Sequence, residues 1–360
     1  MIHLILGTRA QLIKMAPVML ELQKNNIEYN FIFLAEHKET MASMIKMFGL
    51  KKPDIVLGNL DKDITNIVTM GFWSFKVLLS ALYNKKKIFK NDKKGIVLVH
   101  GDAPPAFLGA LIGNLSGIKV GHVESGLRSF NLFNPFPEEI NRLLTFKLTD
   151  YYFCPDHLAL NNLRRYNGKK INTRGNTLID SLRLALKNKN KIKVKIPKES
   201  YAIVTTHRFE NIFKKRQFES IIEIVEDISK KIKLLFILHP PTKKKLMEFG
   251  FMDRLIKNEN IELRPRYNYF EFIKLIDKSE FLISDGGSNQ EECFYLGKPC
   301  LILRNETERK EGLGKNAVLS KFNKKIIEDF VKDYKDYKKQ GISEKISPSK
   351  IIVNEIKRFK

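Results

Sequence analysis

Residues 2–35 read IHLILGTRAQLIKMAPVMLELQKNNIEYNFIFLA, and they predict the fold class. The apolar run IHLIL is followed by the helical stretch LIKMAPVMLELQKN and then by a second apolar run, FIFLA. Short continuous apolar runs are typical of strands that are buried on both faces of a parallel sheet. The stretch therefore predicts a strand, a helix and a second parallel strand, connected by a right-handed crossover.

The same alternation continues along most of the chain. Strand patterns recur at IVLVHGD, KVGHVES and DYYFCP, and then, from Tyr201 onward, at YAIVTTH, KLLFILHP, IELRPR, EFLISDGG and PCLILRN. A charged segment with the helix-breaking Pro197 separates the two series, which is typical of an interdomain linker. We expect an α/β protein with two Rossmann-like, doubly wound parallel-sheet domains at residues 1–175 and 199–335, a linker at 176–198 and C-terminal helices at 336–360.

The composition is that of a globular protein of two domains. Of the 360 residues, 43% are hydrophobic and 29% are charged, which excludes a disordered or low-complexity chain. No apolar run approaches the ~18–20 residues of a membrane span, and the first residues resemble a strand rather than a signal peptide. The three cysteines lack C-x-x-C spacing, so neither a disulfide framework nor a cysteine zinc site is expected. We therefore expect a cytoplasmic protein without a membrane span.

The formal charge of +24 is the unusual figure of the composition. It is compatible with binding to nucleic acid, to an anionic membrane surface or to a phosphorylated substrate, and with a lysine-rich solvated exterior. The lysines are dispersed, with small clusters such as Lys85–Lys87 and Lys243–Lys245, and aromatic residues are not interleaved with them as in a nucleic-acid interface. A solvated exterior is the favoured interpretation, and no nucleic-acid partner is expected.

The first strand ends in Gly7-Thr8-Arg9, and Lys14 follows inside the next helix. A glycine turn that opens a helix leaves backbone N–H groups and the positive end of the helix dipole available to a phosphate. Arg9 and Lys14 would add positive charge at the same place. An ordinary turn between a strand and a helix is the alternative interpretation.

Acidic residues follow the later strands of the first half. Because parallel strands end at the same edge of a sheet, we expect these residues to converge on one cleft, where several carboxylates suit proton abstraction and return at an unactivated carbon. The alternatives are ordinary charge at a helix start for the adjacent pair of glutamates, and a salt bridge to Arg128 for the acid after KVGHV. The acids expected to converge are Asp102, Glu124 and at least one of Glu138 and Glu139, and the cation Arg142 follows in the same helix.

The second half carries a glycine-rich turn before a helix, in SDGGSNQEE. We expect Gly286, Gly287 and Ser288 to bind a diphosphate through backbone N–H groups, and a carboxylate one turn inside the helix, Glu291 or Glu292, to accept hydrogen bonds from ribose hydroxyls. The alternative for the glycines is a loop that needs positive φ. His207 follows a strand in TTHRFEN and is a further candidate.

Other residues that often carry chemistry show no functional pattern. His239, in ILHP, is assigned to a loop, and the cysteines are assigned to packing. No metal-ligand spacing, no G-x-S-x-G and no complete G-x-G-x-x-G occurs in the sequence. We therefore expect a site that works without a metal or another cofactor.

Eight blocks in order make the chain resemble a known family. They are GTRAQLIKMAP, VHGDAPPAFLGAL, VGHVESGLRS, PFPEEINR, RGNTLIDSL, THRFEN, SDGGSNQEE and LGKPCLILRNETER. This combination resembles the non-hydrolysing branch of the bacterial UDP-N-acetylglucosamine 2-epimerase family. The resemblance implies a GT-B arrangement, in which two Rossmann-like domains enclose an interdomain cleft, and it implies a homodimer.

The resemblance also implies the chemistry. Members of the family interconvert UDP-GlcNAc and UDP-ManNAc by eliminating UDP to give 2-acetamidoglucal and adding it back with the C2 proton on the other face. The product feeds surface polysaccharides such as capsule. Within the matching blocks, Phe272 lies near the expected uracil pocket. The catalytic set that the blocks imply is Asp102, Glu124, Glu138 and His207, and the substrate-binding set is Arg9, Lys14, Arg142, Phe272, Gly286, Gly287, Ser288, Glu292 and Arg309.

The chain departs from the family pattern at several positions. GTRPE is usual where this chain has GTRAQ, and DSGG is usual where it has DGGS, so Gly286 stands at the serine position. Glu36-His37-Lys38-Glu39 and Met70 replace residues that accompany a second, activating UDP-GlcNAc. Because two acids would repel a diphosphate, we predict that substrate activation is absent.

Two alternative functions stay open, and a third is disfavoured. A modified UDP-sugar, such as a 2,3-diacetamido sugar, would use the same acid/base groups. A GT-B glycosyltransferase would use the same nucleotide site but would not need three convergent carboxylates. Hydrolysis is disfavoured because the hydrolysing branch typically lacks the pairing of GHVE with PFPEE.

Overall fold

The computed structural model describes residues 1–34, 38–58, 67–132, 136–307, 309–341 and 346–359. The chain divides into two compact units, and each unit is described by itself. The first unit is Met1–Ser181 with Glu344–Lys360, and the second is Leu182–Ser343. The predicted linker, 176–198, contains a helix, and the division of the chain falls within that helix.

The first unit is built on a parallel sheet flanked by helices. Its strands are β1 (Ile2–Leu6), β2 (Tyr29–Leu34), β3 (Ile55–Leu57), β4 (Ile96–His100), β5 (Lys119–Val123), β6 (Tyr151–Cys154) and β7 (Lys169–Asn172). Its helices up to the division are α1 (Arg9–Lys24), α2 (Lys38–Phe48), α3 (Ile67–Tyr83), α4 (Lys85–Ile88), α5 (Pro104–Leu115), α6 (Glu138–Leu148), α7 (His157–Asn162) and α8 (Leu178–Lys187). The strand order is β3-β2-β1-β4-β5-β6-β7, and all the pairings are parallel.

The second unit repeats this plan with a smaller sheet. Its strands are β8 (Tyr201–Thr205), β9 (Lys233–Leu238), β10 (Ile261–Pro265), β11 (Leu282–Ser284), β12 (Cys300–Ile302) and β13 (Ala317–Leu319). Its helices are α9 (Phe209–Ile212), α10 (Lys215–Ser229), α11 (Pro240–Glu248), α12 (Met252–Ile256), α13 (Tyr269–Lys278), α14 (Gly287–Leu296) and α15 (Lys324–Asp333). The order is β10-β9-β8-β11-β12-β13, again parallel throughout.

After α15 the chain returns to the first unit as α16 (Pro348–Ile356), which packs against α1. Asp180 in α8 anchors this return, because its carboxylate accepts hydrogen bonds from the Ser347 hydroxyl at 3.0 Å and from the Ser349 N–H at 2.9 Å. Ser347 in turn caps the start of α16. The residues from 346 onward are therefore part of the first unit rather than a separate tail.

The cores lie between each sheet and its helices. In the first unit, β1, β2 and β4 are buried at every position, as continuous apolar runs in a parallel sheet predict. In the second unit, α10 turns Phe218, Ile221 and Val225 into the core, at the spacing of an amphipathic helix. Each such side chain contributes about 1.5–3 kcal/mol through the apolar surface that it removes from water.

The predicted fold class is confirmed: each unit is a doubly wound parallel α/β sheet. The ten strands predicted from apolar runs are all present, with ends shifted by a few residues. Sequence reasoning missed β3, β7 and β13. Each of these lies at an edge of its sheet and has only three or four residues, and β7 reads KKIN, which contains no apolar run. Within the described ranges, no helix is long and apolar enough to cross a membrane.

Candidate active site

The turn after β1 is fixed from inside by Gln11. Its side-chain oxygen accepts hydrogen bonds from the N–H groups of Gly7 at 2.9 Å and Thr8 at 3.1 Å, and its amide donates to the carbonyl of His100 at 2.8 Å. Gln11 therefore joins the ends of β1 and β4. The expectation that Gly7 and Thr8 offer free N–H groups to a phosphate is wrong, because the amide of Gln11 already accepts both.

Arg9 is the cation that this turn leaves available. Its side chain is partly exposed, and its Nε atom is buried without a hydrogen-bond partner among the described residues. Burial lowers the pKa of Arg9 from its usual value. A buried guanidinium N–H without an acceptor is costly and suits an anionic ligand that supplies one.

Glu124 follows β5 directly and is held by three side chains. Its Oε2 atom accepts hydrogen bonds from Lys14 Nζ at 2.5 Å and from Asn176 Nδ2 at 2.7 Å, and His100 Nε2 lies 3.2 Å away. Its side chain is only 7% exposed. Its φ of +63° is an uncommon value for a residue other than glycine, and such strain clusters at functional sites. The predicted salt bridge of this acid exists, but its cation is Lys14 and not Arg128.

Asp102 follows β4 and belongs to a series of alternating charges that includes Glu139 and Arg142 in the first turns of α6. Arg142 donates from Nη2 to Asp102 and from Nη1 to Glu139, the latter at 3.0 Å, and Arg128 donates to the other oxygen of Glu139. Burial disfavours the charged form of Arg142, but the two carboxylates outweigh this and raise its pKa. The carboxylate of Asp102 is 32% exposed, so a ligand can still reach it.

The adjacent glutamates at the start of α6 have opposite surroundings. Glu139 is buried, and although burial alone would raise its pKa, hydrogen bonds from Arg128, the Ser129 N–H and Arg142 hold that pKa below its usual value. Glu138 has a buried oxygen, Oε2, with no hydrogen-bond partner in the part of the chain that the structure describes. The sequence could not separate the two residues; the structure leaves Glu138 available to a substrate.

His122 lies in β5, two residues before Glu124, and supports the neighbouring acids as a neutral group. It is fully buried, and burial lowers its pKa to about 4. One ring nitrogen, Nε2, lies 2.8 Å from the carbonyl of Gly101, and Nδ1 lies 3.0 Å from the Ser125 hydroxyl. A neutral ring that donates from Nε2 and accepts at Nδ1 satisfies both partners. Because Gly101 precedes Asp102, His122 fixes the turn that carries the aspartate.

In the second unit, the buried Asp285 organises the loop after β8. Its carboxylate accepts hydrogen bonds from the Thr206 hydroxyl at 2.6 Å, from Asn211 at 3.0 Å and from the N–H groups of His207 and Arg208 at 3.1 and 3.0 Å. The predicted residue His207 is thereby held in place. Sequence reasoning missed Asp285, although an aspartate between an apolar strand and a glycine turn was a usable signal.

The ring of His207 lies between Asp285, 3.4 Å from its Nδ1 atom, and the ring of His239. It stacks on His239 with a centroid distance of 4.5 Å and an angle of 16° between the rings. Burial is the largest cause that lowers the pKa of His207, and nearby arginines act in the same direction. His239, assigned to a loop from the sequence, is the group on which His207 stacks.

The turn Gly286–Gly287–Ser288 opens α14, as predicted. Gly286 is the residue before the helix, and it has no side chain that could cap the N–H groups of the first turn. Its own N–H donates to the hydroxyl of Ser284 at 3.0 Å. Glu292, one turn inside the helix, is buried and accepts a hydrogen bond from Asn289 at 2.9 Å. Uncapped N–H groups at the start of a helix suit a phosphate.

The last two predicted residues, Arg309 and Phe272, also lie in the second unit. Arg309 Nη1 lies 3.4 Å from the buried carboxylate of Glu291 and 3.7 Å from that of Glu311, so its charge is compensated within the unit. Gln290 fixes the same loop by donating to the carbonyls of Arg309 and Glu311. Phe272 is half-buried in the first turns of α13.

The segment assigned to an activator site lies outside the described residues. Residues 35–37 are not described, and neither are the side chains of Lys38, Glu39 and Met70. Among the described side chains, no group of His, Cys, Asp and Glu is arranged to hold a metal ion.

Comparison with solved structures indicates the class of enzyme. The crystal structure of UDP-GlcNAc 2-epimerase from Neisseria meningitidis bound to UDP-GlcNAc has a TM-score of 0.82 and 31% identity, with 99% of each chain covered. The Methanocaldococcus jannaschii UDP-GlcNAc 2-epimerase in complex with UDP-GlcNAc and UDP has a TM-score of 0.83 and 30% identity, with 98% of this chain and 99% of that chain covered. A glycotransferase of kitacinnamycin, with a TM-score of 0.56 and 10% identity, shares the fold alone. The class is that of an epimerase, a kind of isomerase.

Comparison of sequences identifies the family. A family model described as UDP-N-acetylglucosamine 2-epimerase matches residues 20–348. The UDP-N-acetylglucosamine 2-epimerase of Methanocaldococcus jannaschii is 35% identical over 343 residues, which is 91% of this chain and 90% of the relative. The Neisseria meningitidis serogroup A enzyme is 32% identical over 354 residues, 92% and 91% of the two chains. The chain belongs to the UDP-N-acetylglucosamine 2-epimerase family, as the sequence blocks predict.

Proposed function

We propose that this chain interconverts UDP-GlcNAc and UDP-ManNAc at C2 of the sugar, in the cytoplasm, for surface polysaccharide biosynthesis. The observation that carries the proposal is the set of carboxylates Asp102, Glu124 and Glu138 in the first unit, each with a different environment. The relatives named as UDP-GlcNAc 2-epimerases, two of which were crystallised with UDP-GlcNAc, support the choice of substrate.

The reaction is the removal and return of one proton and one UDP. A base takes the proton from C2 while the C1–O bond to UDP breaks, which gives 2-acetamidoglucal, UDP and one proton held by the protein. In the return step UDP adds to C1 and a proton is delivered to C2 from the opposite face. Delivery to the opposite face needs a second acid, so at least two carboxylates act in turn.

The environments of the three acids suit different parts of this reaction. Glu124 accepts hydrogen bonds from Lys14 and Asn176, which hold its carboxylate in place. Glu138 has an oxygen without a hydrogen-bond partner among the described residues, which leaves this oxygen to a substrate. Asp102 is oriented by Arg142 and remains accessible. We assign proton exchange to Asp102 and Glu138, and charge stabilisation next to the reacting sugar to Glu124.

The second unit supplies groups that suit the nucleotide. The N–H groups of Gly287 and Ser288 would bind the diphosphate, together with His207. Glu292 would accept from the ribose hydroxyls, and Phe272 would pack against the uracil. Arg309, in the same unit, is a further candidate to contact the diphosphate. No step of this scheme uses a metal or an organic cofactor.

We also propose a homodimer, formed through α3. This helix buries Trp73, Val77 and Ala81, whereas its other face exposes Phe72 (67%), Phe75 (59%), Leu79 (52%) and Tyr83 (91%). At about 150–250 Å² per aromatic side chain, the three aromatic residues expose roughly 300–550 Å². That is a large part of the ~800 Å² that each partner buries in a standard interface. The partner is a second copy of this chain, because the apolar stripe formed by the exposed residues of α3 can pair with the same stripe of another chain about a two-fold axis.

Sedimentation tests this interface. Phe75→Glu should convert the protein from dimer to monomer at micromolar concentration, because it places a charge in the apolar stripe. Leu158→Glu, at an exposed position on α7 outside the stripe, is the matched control and should remain a dimer. A monomeric wild type, or a dimeric Phe75→Glu protein, would contradict the proposal.

Product analysis by proton NMR tests the function. With UDP-GlcNAc alone, we expect an equilibrium mixture of UDP-GlcNAc and UDP-ManNAc, and the Glu138→Gln variant should form it at least ~10²-fold more slowly. Free N-acetylmannosamine would indicate hydrolysis instead, and conversion only of a 2,3-diacetamido UDP-sugar would replace the substrate. No conversion without an acceptor would favour a glycosyltransferase.

The predicted absence of substrate activation has its own test. Rates should rise hyperbolically with the concentration of UDP-ManNAc, whereas a sigmoidal rise that depends on trace UDP-GlcNAc would show that activation is present.

A further inference from the structure

A chain of three hydrogen bonds links the end of β11 to Glu292. The N–H of Gly286 donates to the Ser284 hydroxyl at 3.0 Å, and this hydroxyl donates to Oδ1 of Asn289 at 2.9 Å. Nδ2 of Asn289 then donates to Oε2 of Glu292 at 2.9 Å. Ser284 and Glu292 are buried and Asn289 is half-buried, so the bonds are partly shielded from water. Asn289 is the member that connects the turn to the carboxylate.

Gly286 provides the space in which Asn289 lies. Its φ of −86° and ψ of 126° are ordinary for any residue, so the backbone does not require glycine here. A Cβ atom at this position would lie 2.7 Å from Oδ1 of Asn289 and 3.2 Å from Cε1 of His207. The first distance is too short for a real contact. Any side chain at 286 must therefore displace Asn289 and break its bonds to Ser284 and Glu292.

We propose that Asn289 is a positioning residue that orients the carboxylate of Glu292 toward the nucleotide ribose, and that Gly286 is required because Asn289 fills its side-chain space. The inference rests on the proposed binding of UDP by the second unit. It accounts for the DGGS sequence of this chain, because the glycine at 286 leaves free the space that the amide of Asn289 occupies. The amide holds Glu292, and the missing side chain leaves the start of α14 uncapped.

Calorimetric binding of UDP and of 2′,3′-dideoxy-UDP tests the role of Asn289. For Asn289→Ala, we expect UDP affinity to fall roughly 5–10-fold, the scale of one hydrogen bond, and dideoxy-UDP affinity to change less than about 2-fold. Asn323→Ala removes a side-chain cap from α15 in the same unit and serves as the control for lost stability, with both affinities unchanged. Equal losses for both nucleotides, or no loss for UDP, would overturn the proposal.

A double-mutant cycle tests the shared space. Gly286→Ser should weaken UDP binding roughly 5–10-fold in the wild type, because the new side chain displaces Asn289, and should have less than about 2-fold effect in the Asn289→Ala background. Equal effects in both backgrounds would overturn the coupling. Failure of the proposed nucleotide site gives a different result: a wild type that binds no UDP refutes that site, whereas a wild type that binds UDP and dideoxy-UDP equally refutes the contact between Glu292 and the ribose hydroxyls.

Discussion

The two units treat a buried acid at the end of a parallel strand in different ways. In the first unit, Glu124 and Asp102 are each paired with a cationic side chain, Lys14 and Arg142. In the second unit, Asp285 is bound by two backbone N–H groups and by neutral side chains. The fold is the same, but the charge is compensated by cationic side chains in one unit and mainly by backbone and side-chain dipoles in the other.

This difference separates chemistry from framework. A carboxylate that is paired with a side chain can exchange partners when a substrate enters, and its proton affinity changes with each partner. A carboxylate that is bound by backbone N–H groups cannot move without unfolding its loop. We therefore expect substitutions at Asp102 and Glu124 to alter turnover and substitutions at Asp285 to alter stability.

The largest expected effect is on turnover. Asp102→Asn, Glu124→Gln and Glu138→Gln should each lower kcat at least ~10²-fold, the usual scale for a positioned acid or base (Asp102 and Glu138) and for a group that stabilises charge (Glu124). Because these residues lie in the first unit, UDP affinity should remain within about 3-fold of the wild-type value by calorimetry. Full turnover in all three variants would refute the carboxylate assignment.

The second effect is the stability of the loop after β8. Asp285→Ala leaves Thr206, Asn211 and two N–H groups without their acceptor, so the free energy of unfolding should fall by about 3 kcal/mol or more. Urea denaturation measures this change. Asp277→Ala is the matched control, because its ion pair with Lys189 is partly exposed and should contribute less than about 1 kcal/mol. Equal losses in the two variants would contradict the framework role.

Neighbouring glutamates give a third and smaller contrast. Glu139→Gln weakens charged hydrogen bonds from Arg128 and Arg142, and should lower the free energy of unfolding by about 2 kcal/mol. Glu138→Gln should change it by less than about 0.5 kcal/mol, since Oε2 has no partner within the described residues. Denaturation curves of both variants at neutral pH measure these two changes in the free energy of unfolding. The reverse order would mean that Glu138 is the structural residue of the pair.

At neutral pH the smallest effect comes from His122, because its contribution changes only as the pH falls. Its pKa is about 4 in the folded state against 6.5 for a free side chain, so the unfolded state binds a proton first as the pH falls. Stability from this group is complete above pH 6.5 and is lost between 6.5 and 4, by about 1.4 kcal/mol per pH unit.

Unfolding at several pH values checks this dependence. Replacing His122 with Gln should remove that slope, whereas replacing the exposed His157 with Gln should retain it. An unchanged slope in the His122→Gln protein would show that the imidazole is not buried in its neutral form. His3, whose pKa burial also lowers to about 4, contributes a separate loss of stability over the same range and is unaffected by either change.

The sequence predicted the sheets because burial on both faces leaves an unmistakable apolar run, as in β1 and β4. It did not predict the edge strand β7, whose KKIN sequence faces solvent. It located the acids at strand ends because parallel topology fixes where strands end. It could not separate Glu138 from Glu139, since both suit a helix start and only tertiary partners distinguish them.

The supporting residues were beyond sequence reasoning for the same reason. Asn176 lies 52 residues from Glu124, and nothing local marks it as a donor to that carboxylate. Gln11 reaches the carbonyl of His100, 89 residues away. Asn289 lies within a block noted for its glycines, and its role depends on the empty space at Gly286. Contacts between segments that are distant in the chain cannot be predicted from a local sequence pattern.

One measurement tests the central claim most directly: the incubation of wild-type protein with UDP-GlcNAc in deuterium oxide, followed by NMR of the sugar. If carboxylates of the first unit exchange the C2 proton, both UDP-ManNAc and the recovered UDP-GlcNAc will carry deuterium at C2, and Glu138→Gln will slow the incorporation. Unlabelled UDP-GlcNAc after prolonged incubation, with no second sugar nucleotide formed, would contradict the account.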